Sequence, residues 1–261
     1  MRTARLDTEL VRRGLSSTRT EAQRAIDAGS VTVKGMPATR AATLVSPDDP
    51  ISLIDAAPRF VSRGGDKLDG ALARLDVTVQ GKRWLDAGAS SGGFTDRLLQ
   101  GGATSVCAVD VGYGQLDWRL RNDERVEVIE RKNVRLLEPD DLPWTPEGVV
   151  ADLSFISLVT VLPALRRVAD DDADHVLMVK PQFEVGKGRV GKGGVVRDPA
   201  LWREAIAGVV VAAGGLGLGL VGAVPSEVPG PAGNREFFVH LRPGAPSDGE
   251  AVDRAVEEVR V

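Results

Sequence analysis

The sequence predicts an α/β protein in which a doubly wound, mostly parallel sheet of seven strands follows a small α+β domain. Three observations carry that expectation. From Trp84 onward, seven short apolar runs (WLDAG, SVCAVDV, RVEVIE, GVVADL, HVLMVK, then residues 216–224 and 236–241) alternate with helical stretches, the pattern of strands joined by crossover helices. The first run ends in a glycine-rich turn and the second in an acid, and ligands of such sheets gather beyond the carboxyl ends of the strands. Residues 1–40 carry eight Lys or Arg against four Asp or Glu, so a chain at −4 overall leaves −8 to the remainder. That asymmetry points to a basic first domain with a partner of its own. With 261 residues, 43% hydrophobic and 27% charged, the chain is an ordinary globular protein, and collagen and disorder are excluded. The lone cysteine, Cys107, allows no disulfide framework and points to a reducing compartment.

The first domain is expected over residues 1–57. Leu6, Leu10 and Val11 have helical spacing, and Thr18-Arg-Thr-Glu21 has the form of a capping box opening a second helix through Ala22, Ala25 and Ile26 to Gly29. Val31-Thr-Val33 alternates like a strand, Lys34-Gly35 makes a turn, and residues 51–54 supply a return strand. Arg2, Arg5, Arg12, Arg13, Arg19 and Arg24 crowd into this region. Guanidinium groups suit phosphate contacts, although a solvated helix face accounts for the composition equally well. An interdomain linker is expected at residues 58–64, where Pro58 disfavours helix before it, and the second domain at 65–261.

Within the second domain, residues 205–224 are uncharged, about the length of a membrane helix. Six glycines interrupt them, so the better reading is a helix begun by Pro199, ended at Gly214-Gly215 and followed by a strand. Ala251, Val252, Ala255 and Val259 suggest a terminal helix packing back on the core. No apolar run follows the basic start, so no secretory signal is expected and the cytosol is the expected location.

The candidate ligand site is the turn from Asp86 through Gly88, Ser90 and Gly92 to Phe94. Glycines there let the backbone approach a ligand, though the full dinucleotide pattern is missing. Asp110 ends the second strand, placed to bind the hydroxyls of an adenosine-type ribose. Asn133 follows the third strand as a lesser candidate for the adenine side. Phe94 suits a cofactor contact and a core role equally. The segment from Gly186 to Lys192 satisfies a phosphate-loop pattern, but Gly193 stands where a magnesium-binding hydroxyl belongs and no helix follows directly. Lys187, Arg189 and Lys192 are read instead as part of a mobile loop closing on a substrate backbone, or simply of a solvated surface loop. Asp152 and Lys180 end the fourth and fifth strands, Lys67 precedes the first, and Glu236 opens the last. Taken singly, each is an unremarkable strand-end charge. His175 and His240 lack metal-ligand spacing, and no metal is expected.

The stretch RLDTELVRRGLSSTRTEAQRAIDAGSVTVKG resembles the small RNA-binding module of a small-subunit ribosomal protein, also found in pseudouridine synthases and tyrosyl-tRNA synthetases. Lys67, Asp152, Lys180 and Glu236 have the order and contexts of the Lys-Asp-Lys-Glu tetrad of ribose 2'-O-methyltransferases of the FtsJ type. With SRGGDKLDGAL, DAGASSGGFTDRLLQ, VDVGYGQLDWRLR, ADLSFISL, KPQFEVGKG and GPAGNREFF, nearly the whole chain resembles the TlyA family of bacterial ribosomal RNA 2'-O-methyltransferases, also known as haemolysins. Some members carry Trp where this chain has Phe60.

That resemblance implies a Rossmann-like methyltransferase domain, S-adenosylmethionine as methyl donor, and ribosomal RNA or ribosomal subunits as partner, with a cytidine ribose as acceptor. It assigns Asp86, Gly88, Ser90, Gly92, Phe94, Asp110, Asn133 and Asp152 to the cofactor and the six arginines with the 187–192 loop to RNA. Lys180 is then the base or hydroxyl-orienting group, Asp152 its orienter, and Lys67 and Glu236 a frame for the ribose. A lysine, ordinarily at about 10.4, serves as a base near neutrality only where burial or a neighbouring cation lowers it. Two other classes are weighed against this: an RNA-binding protein without turnover, and a membrane-active haemolysin that uses residues 205–224.

Overall fold

In the computed structural model, the described residues are 3–27, 30–38, 40–53, 59–230 and 233–259. The chain divides into two compact units, Met1–Pro58 and Arg59–Val261.

The first unit contains β1 (Ala4–Arg5), α1 (Leu6–Arg12), α2 (Arg19–Asp27), β2 (Val31–Val33), β3 (Met36–Pro37), β4 (Leu44–Val45) and β5 (Ile51–Leu53). Its sheets are β3-β2-β5 and the pair β1-β4, all antiparallel. Leu6 and Leu10, one helical turn apart, pack with Ala22 and Ile26 of α2 onto Val31, Val45 and Ile51, the stripe that the helical spacing dictates. Glu21 N–H donates to Thr18 Oγ1 at 3.1 Å, and the Glu21 carboxylate accepts from the backbone of Ser17 at 2.7 Å, one residue earlier than a reciprocal box requires. Lys34 and Gly35 turn with φ of 54° and 77°. Gly29, the expected end of α2, lies outside the described residues.

The second unit follows with α3 (Arg63–Arg74), β6 (Arg83–Ala87), α4 (Gly93–Gln100), β7 (Ser105–Val109), α5 (Trp118–Arg121), β8 (Val126–Ile129), β9 (Gly148–Ala151), α6 (Leu158–Val168), β10 (Asp174–Val179), α7 (Pro181–Glu184), α8 (Pro199–Gly214), β11 (Leu218–Pro225), β12 (Phe237–Pro243) and α9 (Ala251–Glu258). The seven strands form one sheet in the order β11-β12-β10-β9-β6-β7-β8. Five run parallel, β12 lies antiparallel to β10, and β11 antiparallel to β12. Apolar layers cover both faces, which is why the central strands read as continuous hydrophobic runs. The chain steps outward from β6 to β8 and returns to place β9 on the other side of β6. That reversal opens a crevice beyond the ends of β6 and β9, where Gly88 and Asp152 stand.

The uncharged stretch divides into α8 and β11, and among the described residues no helix is long and apolar enough to cross a membrane. The terminal helix, α9, buries Ala251, Ala255 and Val256.

The expected linker at 58–64 needs correction, because its second half is built into the second unit. Phe60 is 2% exposed, and a Cβ at Gly65 would lie 2.2 Å from its ring. The Val61 N–H donates to the Asp96 carboxylate at 2.8 Å, Gly64 N–H donates to Ser62 Oγ at 3.3 Å, and α3 begins at Arg63. Residues 54–58 lie outside the described residues.

Candidate active site

Two cavities open at the crevice. The larger, about 480 Å³, is lined by Gly88, Ser90, Asp110, Asn133, Asp152 and Phe155, among others. The smaller, about 280 Å³, is lined by Lys67, Phe94, Lys180 and neighbouring backbone. Gly88, Ser90, Asp152 and Ser154 line both, so the cavities share a wall at the switch point of the sheet.

The glycine turn is shaped by close approach. Gly88 has φ of 88°, and a Cβ there would lie 2.7 Å from the Asp152 carbonyl oxygen and 2.9 Å from Leu153 Cδ2; only glycine lets the β6 and β9 ends pass so closely. Asp110 organises the same turn: one oxygen accepts from Ser90 N–H at 2.8 Å and the other from Gly112 N–H at 2.7 Å. Asn133 accepts from Arg135 N–H at 3.1 Å. Three predicted residues sit apart from this surface or serve packing. Gly92 lines neither cavity; a Cβ there would strike Leu120 at 2.3 Å, so its glycine is required by α5. Phe94 touches the smaller cavity but is 3% exposed and packs at 6.0 Å on Phe238. Asp86 lies fully buried beneath the turn, accepting from the Thr95 hydroxyl at 2.7 Å through one oxygen while the other has no partner. Burial pushes its carboxyl up to about 7 against the pull of Thr95, and the Asp152 and Asp110 carboxylates add to the rise.

Two lysine–carboxylate pairs come together from four separate elements. Lys67, in the second turn of α3, lies 2.5 Å from the Glu236 carboxylate at the entry to β12, and both side chains are buried. Lys180, which caps α7 at the end of β10, lies 2.5 Å from Asp152 Oδ1 in an ion pair without hydrogen-bond alignment, and donates to Ser154 Oγ at 3.0 Å. Lys67, Asp152 and Lys180 face one cavity, with Glu236 behind Lys67. Sequence reasoning missed Ser154, whose only signal is its place two residues beyond Asp152. Phe155 is 92% exposed at φ of 65°, its ring 5.3 Å from that of Phe183.

The larger cavity fits an adenosine-type cofactor. Val134, Leu153, Ile156 and Val161 give it apolar walls for a planar ring, and Asp110 and Asn133 place acceptors at its polar end. Among the described residues no cluster of three metal-ligand types occurs. His240 instead pairs with Asp174 at 2.8 Å, at the opposite end of β10 from Lys180.

In the first unit the arginines are not free. The Asp7 carboxylate, 3% exposed, takes Arg5 through two bonds of 3.1 and 2.9 Å and Arg19 through one of 2.9 Å. Glu9, 2% exposed, takes Arg12 at 2.7 and 2.6 Å and Arg13 at 2.7 Å. The arginine partners hold Asp7 well below the usual carboxylate range and bring Glu9 down to about 2. Arg12 and Arg19 keep more than half of their side chains in solvent, and Arg5 nearly half. Arg13 does not: it also binds the carbonyls of Asp49, Ser46 and Pro47, which makes it a staple of the fold and corrects its expected place among the RNA contacts. Arg189 pairs with Glu204. Arg2 and the side chains of Arg24, Lys187 and Lys192 lie outside the described residues.

The family model for FtsJ-like methyltransferases matches residues 60–243, and that for the S4 domain matches residues 4–51. The chain is 52% identical to the 16S/23S rRNA (cytidine-2'-O)-methyltransferase TlyA of Mycobacterium tuberculosis over 98% of each chain. It is 43% identical to YqxC of Bacillus subtilis over 97% of this chain and 93% of the other. A solved hemolysin-type protein from Streptococcus thermophilus superposes with a TM-score of 0.74 at 37% identity, covering all of this chain and 98% of that one.

Proposed function

Because the chain belongs to the FtsJ-like methyltransferase family, in the TlyA group that sets this domain behind an S4 domain, we propose that it methylates the ribose 2'-hydroxyl of a cytidine in ribosomal RNA. The donor is S-adenosylmethionine, and the acceptor lies in the small subunit, the large subunit or both. One observation carries this reading: two lysine–carboxylate pairs, Lys67–Glu236 buried and Lys180–Asp152 with its lysine buried and its carboxylate half-buried, stand beside the wall shared by a cofactor-sized cavity and a second, more polar one.

When bound, S-adenosylmethionine supplies a methyl carbon already activated by its sulfonium. What the chain must add is alignment and removal of a proton from a poor acid. Lys180 Nζ is the acceptor placed for the 2'-hydroxyl proton, and Asp152 holds the amine at the shared wall and stabilises the ammonium that results. Ser154 accepts from the same amine. Lys67 and Glu236 fix each other and frame the ribose, so that the hydroxyl enters in one orientation; such alignment supplies a large part of the acceleration. Asp110, Gly88 and Ser90 hold the cofactor, with Asn133 on its adenine side and Asp86 supporting the turn from below. Phe155, exposed at the cavity mouth, offers a face for an unstacked cytosine.

Docking falls to the S4 unit. Arg5, Arg12 and Arg19 present guanidinium edges already oriented by buried carboxylates; Arg2 and Arg24 are assigned to the same RNA contact from the sequence alone, as are Lys187, Arg189 and Lys192 to the RNA backbone. The work belongs in the cytosol, where ribosomal subunits are found.

The test is transfer of labelled methyl from S-adenosylmethionine to unmodified ribosomal subunits, followed by alkaline hydrolysis. A blocked 2'-oxygen cannot attack the neighbouring phosphate, so the expected label is in alkali-resistant dinucleotides containing cytidine. Label in mononucleotides means base methylation, and absence of label with the cofactor bound means an RNA-binding protein without turnover; either outcome overturns the proposal.

A further inference from the structure

The strands β9 and β10 lie side by side and parallel, with Leu177 opposite Ala151. Beyond that pair no ladder bond joins β9 to β10 directly: Asp152 N–H still donates to the Ala87 carbonyl of β6 at 3.2 Å, and Val179, next to Lys180, still pairs with Phe237 of β12, on the far side of each strand. Residues 152–157 lead into α6, while Pro181–Glu184 forms the four-residue α7, a helix too short to hold itself. The two segments are nevertheless joined at both ends. At the near end Lys180 meets Asp152 and Ser154. At the far end Glu184 accepts from Ser157 Oγ at 2.5 Å through one oxygen and from Leu158 N–H at 2.8 Å through the other. Between them the rings of Phe155 and Phe183 are in contact.

Glu184 is well placed for such a task. The Leu158 N–H is one of the unpaired donors in the first turn of α6, and Ser157 itself accepts from Val159 N–H at 3.1 Å, so the carboxylate completes a cap that the helix dipole also favours. Burial raises the Glu184 carboxyl against the pull of its two donors, and the side chain is half-buried, bordering a surface cavity together with Ser157 and Val159. Midway along the latched segment, Phe155 holds φ at 65°, a conformation a bulky residue keeps only where its surroundings fix it.

We propose that Glu184 is a positioning residue for the reaction: by latching the start of α6 to α7 it closes the two strand-end segments into one ring and sets the spacing of Lys180 and Asp152. This rests on the assignment of Lys180 as the base. A displacement of about 1 Å in a catalytic group can cost on the order of 10²-fold in rate, and the latch is the element that prevents it.

The test uses the full chain with ribosomal subunits and compares Glu184→Ala, Glu184→Gln and Lys180→Ala with Val256→Ala, a core truncation in the remote helix α9 that serves as a stability control. Glu184→Ala is expected to lower kcat by about 10²-fold while KM for S-adenosylmethionine stays at the unaltered value. Glu184→Gln, which keeps an oxygen for Leu158 and a polar partner for Ser157, is expected to restore most of the loss, and Val256→Ala to lower Tm without lowering kcat. Unaltered kcat in Glu184→Ala, no rescue by Gln, or an equal kcat loss in Val256→Ala would each overturn the latch. Wild-type turnover in Lys180→Ala would remove the base itself, a failure of the mechanism that the Glu184 variants do not produce.

Discussion

Both units join cations to buried carboxylates, and they do so to opposite ends. In the first unit the acid is buried and the base is outside: Asp7 and Glu9 are sealed while Arg5, Arg12 and Arg19 stay largely in solvent. In the second, Lys67, Glu236 and Lys180 are themselves enclosed. The choice of cation matches the location. Arginine keeps its charge at any working pH and forks onto carboxylate and phosphate alike, so an arginine oriented from below remains a phosphate ligand above. Lysine can give up its proton, and an enclosed lysine can therefore take one from a substrate. On the proposed mechanism, the same kind of ion pair orients a binding edge in one unit and poises proton transfer in the other.

Lys180→Arg puts the second unit's cation under the first unit's rule. It keeps the charge beside Asp152 and removes the capacity to lose a proton, so turnover should fall by about 10²–10⁴-fold while calorimetric binding of S-adenosylmethionine is retained. An arginine enzyme that turns over normally would show that the amine only orients the hydroxyl.

Glu236→Ala should come next. It leaves the Lys67 ammonium buried without a partner, which typically costs about 3–5 kcal/mol, readable as a lowered midpoint in urea. The double variant Lys67→Met with Glu236→Leu should recover most of that stability and none of the methylation. If it recovered both, the pair would be a structural feature with no part in framing the ribose.

Two carboxylates, one from each unit, should also respond to acid in opposite directions. Asp86 is raised to about 7 in the fold against about 3.9 unfolded, so the folded state binds the extra proton and stability rises as pH falls from 7 toward 4. Glu9 is depressed to about 2, so its contribution is intact above the ordinary carboxylate range and is lost only as pH falls through it toward 2. Asp86→Asn should flatten the pH dependence of unfolding between 4 and 7 and leave the lower limb unchanged.

How much of this was legible in the sequence follows from which signals are local. The seven strands of the large sheet were readable because most are buried apolar runs, and the two edge strands, β8 and β11, keep enough apolar residues to be read as strands although they are only partly buried. The helix that carries Lys67 was not: its opening Arg63-Gly-Gly-Asp66 looks like loop, and the glycines are there because Phe60 and Ser62 press against that turn. Strands β1, β3 and β4, two residues each, are too short to leave a period. Lys67, Asp152, Lys180 and Glu236 were recognisable only together, through the resemblance, and the geometry pairs them. Gly92 was read as a ligand turn, whereas Leu116 and Leu120, more than twenty residues on, dictate it. Ser154 gave no signal beyond its place two residues after Asp152, and Glu184 gave none, since both act through partners supplied by a neighbouring strand end. Nor can a sequence show that Asp7 and Glu9 are buried, which is what turns a basic cluster into an ordered set of guanidinium edges.

The finest test of the comparison lies in that set. If Asp7 serves to orient, then Asp7→Asn, which keeps an acceptor but loses the charge, should weaken the Arg5 and Arg19 bonds and lower affinity for ribosomal RNA while leaving the salt dependence nearly intact, because the cations remain. Arg19→Ala should instead reduce the slope of log affinity against log salt by roughly 0.7–0.9, the loss of one phosphate contact. Arg19→Lys separates charge from fork: the slope should stay as it is, and affinity should drop by about 1 kcal/mol, the net worth of a typical hydrogen bond. A lysine variant that binds as tightly as the parent would mean that the first unit uses arginine for charge alone, and the contrast between an oriented fork and a titratable amine would then hold only in the second unit.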